Sequence, residues 1–90
     1  MNPDEAIHIE QSLRDVLKDL NGVLREPDYK SAIELIEAGE YGVAFENVCV
    51  QLFEYEIPVR RAAYLKLERI GQLMELPQEN WTTLQSLVVE

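Results

Sequence analysis

The chain has 90 residues and a mass of 10.4 kDa, so we expect a single domain that covers residues 1–90. Apolar residues make up 47% of the sequence, which excludes a disordered polar segment. Seventeen acidic residues oppose eight basic ones, giving a formal net charge of −9. This charge argues against binding to nucleic acid or to an anionic membrane, because phosphate groups would be repelled. A cationic protein partner is the natural electrostatic complement.

The cysteine content and the first residues indicate the cellular compartment in which the protein is expected. Cys49 is the only cysteine, so neither an internal disulfide nor a cysteine-based zinc site is expected. Residues 1–5 show neither the basic start nor the apolar run of a secretory signal. No apolar stretch approaches the roughly 20 residues that span a bilayer. These features predict a cytoplasmic protein.

The first segment has the pattern of an amphipathic helix. Asn2 is a suitable N-cap, Pro3 suits the first helical position, and Glu5 completes a capping box. Asn21 and Gly22 are the expected terminator. The apolar residues recur at helical spacing and should face the core: Ile9, Leu13, Val16, Leu17, Leu20 and Leu24.

The middle of the chain predicts two further helices. Pro27 forces a break, and the second helix then runs until Gly39. The third helix begins at Glu40 or Tyr41 and must end before Ile57, because a residue that precedes a proline is pushed out of the α region. The residues expected to face the core are Tyr29, Ala32, Ile33 and Ile36 in the second helix, and Ala44, Phe45, Val48, Cys49, Leu52 and Phe53 in the third.

Two more helices are expected in the last third of the chain. Pro58 opens the fourth helix, and Leu76–Pro77 separates it from a final helix. The residues expected to face the core are Ala63, Tyr64, Leu67, Ile70, Gly71 and Met74 in the fourth helix, and Trp81, Leu84, Leu87 and Val88 in the fifth.

One segment permits a competing interpretation. Val48–Phe53 contains β-branched and aromatic residues and could form a strand. No second alternating strand exists to pair with it, and an isolated strand is unstable, so a helix is favoured. We therefore expect an all-α fold, a compact single-domain bundle of about five short helices with short connections.

Charge is distributed unevenly along the chain. Residues 31–57 contain six acidic residues and no basic one, whereas residues 58–74 contain four basic residues and one acidic one. Glu46, Val50 and Glu54 are successive i, i+4 neighbours, so two carboxylates flank a valine on one exposed ridge. Two interpretations are open, a solvated acidic face and a surface for a basic partner. The bases available to neutralise part of this face are Arg60, Arg61, Lys66 and Arg69.

The sequence offers few candidates for catalysis. His8 is expected to be solvated or partly packed, since no nucleophile is placed to use it. Cys49 should be a buried, inert thiol. Gly39 should cap a helix and Gly42 should mark close packing, while Trp81 belongs to the core. No metal-ligating or phosphate-binding motif occurs, so we expect a protein that is not an enzyme, with no catalytic residues, metal or cofactor.

Three stretches resemble the MafI-type immunity proteins. Residues 39–46 (GEYGVAFE) match a Gly-Glu-x-x-x-Ala-x-Glu core within the run from Ser31 to Glu46. Residues 52–57 (LFEYEI) match a Leu-x-Glu-x-x-Ile/Val turn, and residues 76–81 (LPQENW) match a terminal helix opened by Leu-x-x-x-x-Trp. The resemblance covers about two thirds of the chain, from Ser31 to its end, with matching order and spacing.

This resemblance implies an immunity protein of a polymorphic toxin system, of the Maf or contact-dependent growth inhibition (CdiA/CdiI) kind. Such a protein forms a heterodimer with the C-terminal domain of its cognate toxin, which in this group is often an RNase, and blocks its active site. A small acidic helical adaptor or regulator of an unrelated partner, with homodimerisation left open, is the alternative. The residues we expect to bind the toxin are Glu34, Glu37, Glu40, Tyr41, Glu46, Phe53, Glu54, Tyr55 and Glu56.

Overall fold

Helix α1 spans Pro3–Leu20 in the structure, a computed structural model that describes residues 1–90. The Asn2 side chain accepts a hydrogen bond from the Glu5 amide at 2.8 Å, as the capping pattern predicts. Gly22 follows the helix with a φ of 83°, a conformation that glycine adopts without steric cost. All six apolar residues of the predicted stripe are buried.

Four further helices confirm the all-α architecture. Pro27 lies in the first turn of the second helix. A backbone N–H group at this position would have no acceptor within the helix, so proline loses no hydrogen bond there. The segment considered as a strand is helical, because it forms the second half of the third helix. The bounds are α2 Glu26–Glu37, α3 Tyr41–Glu54, α4 Arg61–Leu73 and α5 Glu79–Thr82.

The end of the chain departs from the predicted final helix. A 3₁₀ helix, Thr83–Leu87, follows the single turn of α5, and strand β2, Val88–Val89, follows that. Strand β1, Val59–Arg60, pairs with β2 in parallel, with Val59 opposite Val88. Pro58 therefore precedes a short strand and does not open the fourth helix as predicted.

One hydrophobic core of twenty buried residues joins all five helices. Phe45 of α3 and Trp81 of α5 meet edge to face, with ring centroids 6.3 Å apart. Phe53 is the one residue of the predicted α3 stripe that faces solvent, with 47% of its surface exposed. The prediction that Phe53 faces the core is wrong, because Phe53 lies at the outer edge of the stripe, about 100° around the helix from Leu52 and beyond the buried Cys49.

The glycines of α3 and α4 differ in their surroundings. A Cβ atom at Gly42 would meet nothing within 4 Å, so the predicted close packing there is wrong. A Cβ atom at Gly71 would overlap the six-membered ring of Trp81 and lie 3.1 Å from Cζ of Phe45. Close approach of α4 to α5 thus depends on Gly71.

Two glutamates end helices in the left-handed conformation that usually requires glycine. Glu56 after α3 has a φ of 48°, and Glu75 after α4 has a φ of 54°. In each case the next residue's amide bonds back into the helix, as from Leu76 to the Gly71 carbonyl at 3.0 Å. Gly39 takes the same position after α2.

We expect Glu75→Gly to stabilise the protein by about 0.5 kcal/mol. The left-handed conformation costs an L-residue about 1–2 kcal/mol, which glycine avoids, while the greater freedom of glycine in the unfolded chain offsets part of the gain. The matched control is Gln72→Gly within α4, which should lose about 1 kcal/mol. Urea denaturation measures both values, and a destabilised Glu75→Gly protein would contradict the prediction.

Candidate functional site

The six carboxylates between Ser31 and Ile57 make no intramolecular ion pair or side-chain hydrogen bond. The structure contains six ion pairs, and every one lies outside this segment. Five of the six side chains belong to exposed residues and Glu46 is half-buried. The segment is therefore a surface of unneutralised negative charge, which we call the acidic surface: Glu34, Glu37, Glu40, Glu46, Glu54 and Glu56.

Two of the four bases of residues 58–74 pair with acids elsewhere in the chain. Lys66 of α4 contacts Asp15 at 2.9 Å and Asp19 at 2.7 Å, both on α1. These contacts raise the pKa of Lys66, and the hydrogen bond from Lys66 lowers the pKa of Asp15. Arg61 bonds the Glu90 carboxylate, with Nε 3.0 Å away. None of the four bases forms an ion pair with the acidic surface.

Two carboxylates stand where the helix dipole disfavours them. Glu37 is the last residue of α2 and Glu54 is the last residue of α3. Neither helix has a basic residue in its last turn. A negative charge at the carboxyl end of a helix is destabilising by roughly 0.3–1 kcal/mol, because the carbonyl groups there are already partially negative. Both positions thus lower stability within the free protein.

A groove of about 400 Å³ runs between α3 and α5. Its apolar part comes from Val50 and Phe53 of α3 and from Pro77, which precedes α5. Glu46 and Glu54 line it from α3, and no lysine or arginine lines it. The remaining lining residues are Cys49, Glu79, Asn80 and Thr83.

A second, smaller groove of about 280 Å³ lies beside Phe53. Phe53 and Glu54 line both grooves, and Glu56 joins them here with Ser86 and Leu87. The fold thus brings four of the predicted toxin-binding residues together, with three carboxylates around the exposed ring of Phe53. Those four are Glu46, Phe53, Glu54 and Glu56.

The other predicted residues lie apart from these grooves. Glu34, Glu37 and Glu40 are exposed but line neither groove. The Tyr55 ring is half exposed and carries the Arg25 guanidinium 4.1 Å above its centre. A cation stacked on a tyrosine ring holds it in place. Tyr55 therefore connects the end of α3 to the start of α2.

Tyr41 has an intramolecular partner. Its hydroxyl donates a hydrogen bond to the Glu10 carboxylate at 3.0 Å, and Arg14 bonds the other oxygen of that carboxylate. The bond raises the pKa of Tyr41. The pKa of Glu10 is lowered, first by the hydrogen bond from Arg14 and then by that from Tyr41. Tyr41 thus ties α3 to α1.

We expect Tyr41→Phe to be less stable than the parent at neutral pH and equally stable in strong acid. Glu10 has a lowered pKa in the folded protein, so its stabilisation is present above its ordinary pKa and lost as the pH falls through the lowered value. On the alkaline side, the Tyr41 contribution is lost only as the pH rises through its raised pKa. Urea midpoints measured across pH check this, and an equal deficit at every pH would instead indicate lost packing.

The residues considered for chemistry offer little reactivity. Cys49 is buried, and burial with the nearby charge of Glu46 raises its pKa to about 12, so it is a thiol at neutral pH. His8 is exposed and lines a separate groove between α1 and α4. No three His, Cys, Asp or Glu side chains converge as metal ligands. None of the helices has the length and apolar character of a membrane span.

Comparison with protein-family models, with curated proteins and with solved structures gives no match. Sequence reasoning missed Glu79, which reaches the groove only through the fold. It also treated Val50 as part of a charged ridge and overlooked Val43, although the spacing of Val43, Val50 and Phe53 could have revealed a second apolar stripe.

Proposed function

We propose that the protein is an immunity protein that binds a cognate toxin domain in the cytoplasm and blocks its basic substrate cleft. The toxin is a nuclease, an RNase delivered by a CdiA- or Maf-like protein of a neighbouring cell. The immunity protein acts by binding alone and has no activity of its own.

The main support for this proposal is that the carboxylates of the acidic surface form no ion pair within the protein. Six carboxylates without an intramolecular cation include two at helix ends where they lower stability. A surface kept at a cost in stability is typical of binding function. A nuclease must hold a polyanion, so its cleft is basic, and an acidic protein is its electrostatic complement.

The grooves around Phe53 supply the second part of a tight interface. Charged rims accelerate association, whereas affinity comes mainly from a few buried anchors, commonly aromatic. Phe53 is exposed in the free protein and stands among Glu46, Glu54 and Glu56. Protein–protein interfaces typically have an apolar centre and a polar rim, and an exposed apolar side chain surrounded by charged residues has this arrangement.

A nuclease-neutralisation assay tests the proposal. The proposal predicts that a toxin domain is encoded immediately upstream; that domain is purified, and its cleavage of RNA is measured with increasing amounts of the protein. We expect cleavage to stop at one equivalent and a one-to-one complex to form. An unrelated basic ribonuclease is the control and should stay active, because a merely polyanionic effect would inhibit both enzymes. Unimpeded cleavage by the upstream domain would refute the proposal.

A further inference from the structure

Helix α3 carries a second apolar stripe on the side away from the core. Val43, Val50 and Phe53 are 42%, 48% and 47% exposed, which is high for large apolar side chains. With Glu46 they are spaced by three, four and three residues, as are positions a and d of two successive heptads. We call these four residues the α3 seam. This spacing is the one that a packed neighbouring helix requires.

We infer that the α3 seam binds a basic amphipathic helix of the partner, laid along α3 over the groove between α3 and α5. The inference rests on the proposed function, since it specifies which part of a toxin the protein grips. It places the main contact on a helix with apolar residues at a and d positions and lysines or arginines beside them.

The charges that line the groove favour a positively charged helix as the binding partner. Glu46, Glu54 and Glu79 line the groove and no base does, so an approaching helix meets only negative charge at its flanks. Each of these carboxylates lacks an ion-pair partner in the free protein. Opposite charges at the flanks of a helix pair determine partner choice and orientation.

The same charges disfavour a second copy of this chain. In a parallel pair Glu46 would face Glu46, and in an antiparallel pair the acidic flanks of both copies would meet. Each copy carries a net charge of −9, which adds long-range repulsion. The occupant is thus another protein.

Glu46 determines the register of the bound helix. It is half-buried between Val43 and Val50, and no hydrogen-bonding side chain of the protein reaches it. A charged residue within an apolar seam is costly unless its partner supplies an opposite charge. A lysine or arginine in the facing layer would satisfy Glu46, and a helix shifted by one heptad would not.

A designed peptide of about three heptads tests the seam directly. It has leucine at a and d, lysine at e and g, and one lysine at the d position facing Glu46. The lysines at e and g keep the free peptide from associating with itself. Controls are a peptide of the same composition in scrambled order and one with every lysine replaced by glutamate. Binding is followed by backbone amide chemical shifts of the labelled full-length protein.

We expect the designed peptide to bind and to shift amides of α3 and α5, and neither control peptide to do so. Phe53→Ala and Val50→Ala should each weaken binding about tenfold, and Glu46→Gln about fivefold. These side chains are wholly or partly exposed, so folding should be retained. Val23→Ala and Leu65→Ala remove exposed apolar side chains elsewhere and should leave binding unchanged. Equal binding of the scrambled peptide, shifts confined to other helices, or a dimer dissociated by Phe53→Ala would overturn the inference.

The experiments distinguish a failure of the proposed function from a failure of the α3 seam as its interface. If the peptide binds the seam but the upstream toxin domain is not neutralised, the proposed function fails and the seam stands as a binding site for a basic helix. If Val50→Ala and Phe53→Ala neutralise the toxin domain with unchanged affinity, the proposed function stands and the seam is not its interface.

Discussion

Replacing Gly71 with alanine is expected to destabilise the protein by about 2 kcal/mol and to lower its melting temperature by roughly 10 °C. The added methyl group would overlap the Trp81 ring, and Phe45 blocks the remaining space. Trp81 is only 5% exposed, so its ring cannot move into solvent without opening the core. The intrinsic preference of alanine for a helix, about 1 kcal/mol over glycine, would offset only part of this cost.

The matched control is Gly42→Ala, the same change in helix α3. A Cβ atom at Gly42 meets nothing within 4 Å, so only the helix preference acts and the protein should gain up to about 1 kcal/mol. Calorimetry and urea denaturation measure both variants. If Gly71→Ala is as stable as Gly42→Ala, the close approach of α4 to α5 is not a requirement of the fold.

The first four helices can be predicted from the sequence because their signals are local, although α4 begins at Arg61 and not at Pro58. The apolar stripe of α1 has helical spacing, and Asn2 and Gly22 mark its ends by hydrogen bonding and by backbone freedom. The proline at position 58 indicates where α3 must end. Such signals need no knowledge of the rest of the chain.

The end of the chain could not be predicted in this way because its structure is non-local. Leu84 and Leu87 have helical spacing, but after one turn of α5 the backbone tightens into a 3₁₀ helix and continues as β2. β2 exists only because Val59, nearly thirty residues earlier, lies in register beside Val88. A pair of two-residue strands has no sequence pattern of its own.

Part of the candidate site can be predicted from the sequence. The absence of bases between residues 31 and 57 predicted an acidic surface, and the structure leaves that surface without intramolecular ion pairs. The sequence places Phe53 both in the apolar stripe of α3 and among the predicted toxin-binding residues, and only the fold shows that its ring is exposed. Glu79 could not be placed at all, because only packing of α5 against α3 brings it to the groove.

Under the proposed function, reversing two charges on the acidic surface is expected to abolish protection against the toxin. Glu46→Lys with Glu54→Lys would place cations on both flanks of the groove, where a basic partner must approach. We expect the association rate to fall about ten- to hundredfold at low salt, because attraction becomes repulsion. Rising salt should narrow the difference from the parent protein, since screening weakens both effects.

The location of Glu54 separates lost binding from lost folding. As the last residue of α3, Glu54 faces the partially negative end of the helix, so a lysine there should raise stability slightly. The control, Asp4→Lys with Glu26→Lys, changes the net charge equally in the first turns of α1 and α2, outside the groove. It should keep most of the association rate and full protection, and denaturation curves report folding of both variants. Loss of protection in both double variants would show that overall charge, and not this face of α3, attracts the toxin, whereas full protection by Glu46→Lys with Glu54→Lys would refute the assigned face.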